Sequence, residues 1–135
     1  MFADASALCS MLTDETDARD LLETMRCFEK RITSPLAIWE TVIAVARITN
    51  FSIRDTQRIV TEYLVLLNIQ VLPVVPEISA LAVEAFDRYG KGRHPADLNF
   101  GDCFSYACAR HYRVPLLFKG GDFVHTDIER ARSRP

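Results

Sequence analysis

Three carboxylic acids each stand alone in a stretch of chain that carries no other charge. Asp4 is the only charged residue from Met1 to Leu12, Glu40 the only one from Pro35 to Ala46, and Asp102 the only one from Leu98 to Ala109. Segments this apolar pack against neighbours on most sides. A carboxylate buried with them must be paired, protonated or bound to a cation, because uncompensated burial is strongly unfavourable. No lysine or arginine lies within the three stretches. The fold must therefore either bring a distant cation such as Arg47 or Lys119 to each acid, or gather the acids in one place. Gathered acids raise one another's pKa, and a divalent cation removes that penalty. Hard oxygen ligands suit Mg²⁺ or Mn²⁺, with waters completing the octahedron.

The rest of the composition narrows the class. With 135 residues the chain has room for one domain, and no linker or repeat divides it, so residues 1–135 read as a single unit. A hydrophobic fraction of 49% and a charged fraction of 25% exclude disorder and a disulfide-stapled mini-protein. Lysine and arginine total 16 against 18 acids, which argues against a general polyanion binder but leaves room for a small basic patch. Cys9, Cys27, Cys103 and Cys108 form no C-x-x-C pair and read as reduced core thiols. No basic leader precedes an apolar segment, and no apolar run approaches the roughly 18 residues of a spanning helix. These features predict a cytoplasmic protein without membrane contact.

Short strand signals alternate with longer helical ones, which predicts an α/β domain around a mainly parallel sheet. Strands are expected at Met1–Ala3, Ile69–Val75 and Val114–Phe118, with Arg31–Ser34 a brief strand or a connection. Apolar spacing predicts helices over Asp14–Lys30, from Ser34 and Pro35 to Thr49, from Ser52 to about Asn68, over Glu77–Tyr89 and over Gly101–Tyr112. The arginine-rich tail, Ile128–Pro135, is expected to fray.

In an open parallel sheet, function gathers beyond the carboxyl ends of the strands. Asp4 follows the first strand, and Asp122 lies a short loop after the last. Asp102 falls in a first helical turn, where Gly101 permits close approach, and Glu40 enters from its own helix. Simpler roles exist for two of these acids. Asp102 fits a helix N-terminus and Asp122 fits a turn. Glu40 has no such explanation. His94, His111 and His125 share no spacing and read as surface or loop residues.

These residues resemble a known family. Phe2-Ala3-Asp4-Ala5-Ser6-Ala7, Trp39-Glu40, Leu98-Asn99-Phe100-Gly101-Asp102-Cys103 and Leu117-Phe118-Lys119-Gly120-Gly121-Asp122-Phe123 are similar to motifs of the PIN-domain ribonuclease toxins, the VapC family. The likeness spans almost the whole chain, and Tyr89-Gly90-Lys91-Gly92-Arg93-His94-Pro95 is like one subgroup. The resemblance implies a PIN-like domain, a central parallel sheet flanked by helices with an acidic pocket at its carboxyl edge. It also implies Mg²⁺-dependent endoribonuclease activity on structured RNA such as tRNA.

Asp4, Glu40, Asp102 and Asp122 then fall on catalytic positions, with Asp4 and Asp102 as metal ligands and Ser6 and Asn99 supporting them. Glu40 or Asp122 would accept a proton from the attacking water or help hold a second ion. Phosphates would meet Lys91, Arg93 and Lys119, with Arg130, Arg132 and Arg134 a second patch, although the loop around Lys91 also fits plain solvation. A cognate antitoxin, a homodimer and a higher toxin–antitoxin assembly are further implications, with helix residues such as Ile53–Asn68 a possible partner groove.

The last motif departs from the pattern, because Phe118 replaces a threonine and Gly120-Gly121 offers no side chain. That departure motivates an alternative, a catalytically silent PIN-like module acting through antitoxin and DNA. A phosphotransfer receiver domain also uses a strand-end Asp, but with paired acids that Asp4 lacks.

Overall fold

A computed structural model describes residues 1–133. Its elements run in the order β1 (Phe2–Ala3), α1 (Ala5–Leu12), α2 (Ala18–Arg26), β2 (Ile32–Thr33), α3 (Pro35–Thr49), α4 (Ile53–Leu66), β3 (Gln70–Val71), α5 (Pro76–Tyr89), α6 (Phe100–His111) and β4 (Leu116–Leu117). A 3-10 turn, Asp122–His125, follows. The four strands are parallel in the order β3-β2-β1-β4, with Phe2 opposite Ile32 and Leu116, and Ile32 opposite Gln70. The first connection therefore leaves β1 on one side, and the chain returns to its other side as β4. That reversal opens a crevice beside the end of β1.

Strand alternation divides the core into two layers. Phe2, Ile32 and Leu116 pack with Ile78, Leu98 and Tyr106 under α5 and α6. Ala3 and Leu117 pack with Leu8, Met25, Val42, Val60 and Leu64 under α1 to α4. Both faces are covered, as a parallel sheet requires.

Caps set the helix boundaries where the sequence announces them. Ser34 accepts from the Ala37 N–H at 3.2 Å, and Pro35 takes the first helical position. Ser52 caps α4 through the Asp55 N–H. Other boundaries differ from expectation. α2 is shorter than Asp14–Lys30, because Asp14 adopts a left-handed φ of 52° and the helix begins only after Asp17. β3 covers only part of Ile69–Val75, because after the Leu72 N–H donates to Thr33 O the neighbouring chain reaches Pro35, which has no N–H to return and opens α3. β4 likewise covers only Leu116–Leu117 of Val114–Phe118. Helix α1, unexpected from the sequence, is an apolar run whose first turn is capped by Asp4.

The tail corrects its expectation. The Leu116 N–H donates to Glu129 O and the Ala131 N–H to Leu116 O, both at 2.8 Å, so Glu129–Ala131 runs along the free side of β4. Ala131 is buried and the Arg130 guanidinium lies over the Phe118 ring, which holds the segment in place. Arg134 and Pro135 lie outside the described residues.

Burial of α3 on most sides is also corrected. It packs on α1, α4 and α6, and leaves Trp39 64% exposed beside Ile43 and Ile48. All four cysteines are free, but Cys27 is exposed rather than in the core. Among the described residues no helix is long and apolar enough to cross a membrane.

Candidate active site

The end of β1 delivers Asp4 directly into the crevice. Its N–H donates to Leu117 O at 3.0 Å, which continues the pairing of β1 with β4 to the acid itself. Asp4 is buried, and its Oδ2 accepts from the Ser6 N–H at 3.0 Å and the Ser6 hydroxyl at 2.5 Å. Ser6 Oγ in turn accepts the Lys119 N–H at 3.1 Å, so one hydroxyl joins the end of β1 to the loop after β4. Asp102 arrives from the first turn of α6. Its carboxylate accepts the Asn99 N–H at 3.1 Å, while the Asn99 side chain accepts the Asp102 N–H at 2.9 Å. This reciprocal cap fixes the Asp102 side chain as well as the helix start. Glu40 comes from the second turn of α3 and lies against Gly101.

Asp4, Ser6, Glu40, Asn99, Asp102 and Lys119 line one cavity of about 330 Å³. Among the described residues, no lysine or arginine forms an ion pair with Asp4, Glu40 or Asp102. Burial pushes the Glu40 carboxyl up to about 7, helped by the charges of Asp4 and Asp102. Burial also pushes Asp102 up to about 6 against the Asn99 hydrogen bond, with Asp4, Asp122 and Asp97 adding repulsion. A larger cavity, about 680 Å³, is lined by Phe28, Phe118, Phe123 and Arg130 among others, and contains no comparable group of acids. Charge, rather than size, locates the site.

The remaining expected residues divide. Asp122 is exposed at the start of the 3-10 turn and does not line the cavity, although its charge reaches Asp102. The chain leaves β4 through Gly120 at φ +90°, and Gly121 adds no side chain. Lys119 does line the cavity, but its ammonium is held by Glu15 and also lies 3.7 Å from Asp17. Lys91 and Arg93 lie outside the lining, and Arg93 pairs with Asp87 at 2.8 Å. Glu15 and Cys9 line the cavity without having been expected there. Glu15 belongs to the polar run Asp14-Glu15-Thr16-Asp17, which reads locally as a turn and gives no sign of its tertiary partner.

An all-oxygen donor set without a basic partner fits a hard divalent cation, whose charge would reverse the upward pKa shifts. Among the described residues no three His, Cys, Asp or Glu side chains are placed to hold one ion together. Two carboxylates, with retained waters, are what this arrangement offers.

The sequence matches the PIN-domain family over residues 1–129. It is 39% identical to ribonuclease VapC30 of Mycobacterium tuberculosis over 129 residues, covering 95% of each chain. Ribonuclease VapC28 of the same organism is 38% identical over 137 residues, covering 99% of each. A ribonuclease VapC of Mycolicibacterium smegmatis is 39% identical, covering 95% of this chain and 97% of that one. The fold is also similar to the crystal structure of Mycobacterium tuberculosis VapC20, a toxin that cleaves the sarcin–ricin loop. That match has a TM-score of 0.75 at 16% identity and covers 97% of this chain and 98% of the other.

Proposed function

The chain belongs to the PIN-domain family and groups with its VapC members, and from that premise we propose that it is an endoribonuclease, the toxin of a toxin–antitoxin pair. The carrying observation is the convergence of Asp4, Glu40 and Asp102, without a basic partner, at the carboxyl edge of a parallel sheet. PIN-domain nucleases generally depend on a divalent metal. We assign Mg²⁺, with Mn²⁺ as a substitute, to Asp4 and Asp102. When bound, the ion neutralises charge growing on the phosphate and acidifies water.

The chain's own groups do the rest. Ser6 and Asn99 hold Asp4 and Asp102 in place. Glu40, with its carboxyl near 7, is suited to take a proton from the attacking water close to neutral pH. Asp122, outside the cavity lining, would act on the site through its charge at Asp102. Lys119 lines the cavity, where it can exchange Glu15 for a substrate phosphate, and Lys91 and Arg93 would contact RNA further out.

The substrate is RNA, with structured RNA such as tRNA the favoured class. A cognate antitoxin would occupy the acidic cavity, an arginine from it neutralising the carboxylates in place of the ion. A homodimer, a higher toxin–antitoxin assembly and a cytoplasmic site of action complete the proposal. Incubating the purified chain with total RNA and Mg²⁺, then mapping new ends, tests it. Discrete cuts that vanish in Asp4→Asn and Asp102→Asn support the assignment, and full cutting by either variant overturns it. The open position left by Gly120-Gly121 favours one second reading, a silent module acting through antitoxin and DNA. Intact partner binding with no cleavage of any RNA is its signature.

A further inference from the structure

We propose that Gly101 is a positioning residue, kept without a side chain so that the Glu40 carboxylate can stand beside Asp102. The inference rests on the nuclease reading above. A Cβ placed on Gly101 would overlap both Oε atoms and the Cδ of Glu40, well inside the 3.0 Å that Cβ atoms keep from other heavy atoms. Nothing else is among the three nearest atoms it would meet. The obstacle is thus the far end of a flexible side chain, and that end can swing aside at little cost to the fold.

Gly101 also sits in regular helix, in the first turn of α6, where alanine is the better helix former. Its φ is not in the left-handed region, so the backbone gives no reason for glycine. A residue that weakens its own helix, at a point where the three nearest collisions are all with one cavity carboxylate, is explained by what that carboxylate does. Glycine here sets the position of Glu40, while the Asn99–Asp102 cap sets that of Asp102. The two acids are brought together by one turn of one helix.

The test uses Gly101→Ala, Glu40→Asp and the double variant in the full chain. RNA cleavage is followed with Mg²⁺, and melting temperature is measured alongside. Gly101→Ala should melt at or above the wild-type temperature yet lose roughly a hundredfold in kcat, the scale of a displaced acid–base group, with KM little changed. Asp at position 40 is one methylene shorter and withdraws from the added methyl. Gly101→Ala should therefore cost less than about twofold when introduced beside Glu40→Asp, a non-additivity that a general loosening of the helix would not produce.

Wild-type cleavage with an undiminished Gly101→Ala overturns the inference and leaves the nuclease reading standing. So does an equal loss in both backgrounds, or a loss accompanied by a lower melting temperature and a raised KM. Absence of cleavage by the wild type itself overturns the nuclease reading instead.

Discussion

Helix α6 has a carboxylate site near each end, Asp102 and Arg110 lying about 12 Å apart along its axis. At its start, Asp102 shares a cavity with Asp4 and Glu40, and no basic side chain pairs with them. Near its finish, Asp127 accepts the Tyr106 hydroxyl at 2.6 Å and meets the guanidiniums of Arg110 at 2.8 Å and Arg88 at 3.3 Å. The electrostatics run in opposite directions. Glu40 and Asp102 are pushed up by burial and by the charges of neighbouring acids, Asp4 among them in both cases. Partial burial pushes Asp127 up as well, but Tyr106 and the two arginines outweigh it and leave the carboxyl below its usual value. One end satisfies its charge internally and serves cohesion. The other leaves its charge to something from outside, which is where function is to be sought.

The two ends of α6 should differ most in their effect on cleavage. Asp4→Asn or Asp102→Asn should lower the cleavage rate by on the order of a hundredfold to ten-thousandfold, whereas Asp127→Asn should stay within about twofold of wild type. A fluorogenic RNA assay reads both, and a large loss in Asp127→Asn would show that the two ends are not separate in function. Ion binding sharpens the contrast. At a hundredfold excess over its Kd, Mg²⁺ should stabilise the protein by about 2.7 kcal/mol, seen as a rise in melting temperature. Asp102→Asn should abolish that rise and Asp127→Asn should leave it intact.

The pH dependence of stability separates the two ends again. Glu40 goes from an ordinary value of 4.5 to about 7 on folding, and Asp102 from 3.8 to about 6. Between those values the folded state holds more protons than the unfolded one, so stability without a metal ion should fall as pH rises from about 4 to about 7. Glu40→Gln should flatten that slope in urea titrations across the window. Asp127 behaves oppositely, its contribution being present above its unfolded pKa and lost as acid protonates the folded form. The smallest effect is the stability cost of Asp127→Asn, about 1 kcal/mol for a half-exposed cluster, measured by urea unfolding at pH 7.

The cavity was legible in sequence because isolation in apolar surroundings is a local property. Asp4, Glu40 and Asp102 each announce a problem that only tertiary structure can resolve, and they resolve it together. Capped helices were legible for the same reason, as Ser34-Pro35 and Ser52 show. What depends on distant partners was not. Glu15 looks like any turn acid until Lys119 reaches it, and Arg93 looks like a free cation until α5 presents Asp87. The tail reads as solvated because five of its last eight residues are arginine, glutamate or serine, and nothing local reveals that the side of β4 is open to receive it. Helix α1 was obscured because it follows β1 after a single residue within one almost continuous apolar run.

The placement of Glu129–Ala131 has a consequence for how other molecules approach. An unpaired sheet margin is a template on which foreign backbone can add itself. Here the chain's own C-terminal segment occupies the β4 margin, and the opposite margin is a two-residue strand followed closely by Pro73. Strand-by-strand accretion therefore has little to grip on either side.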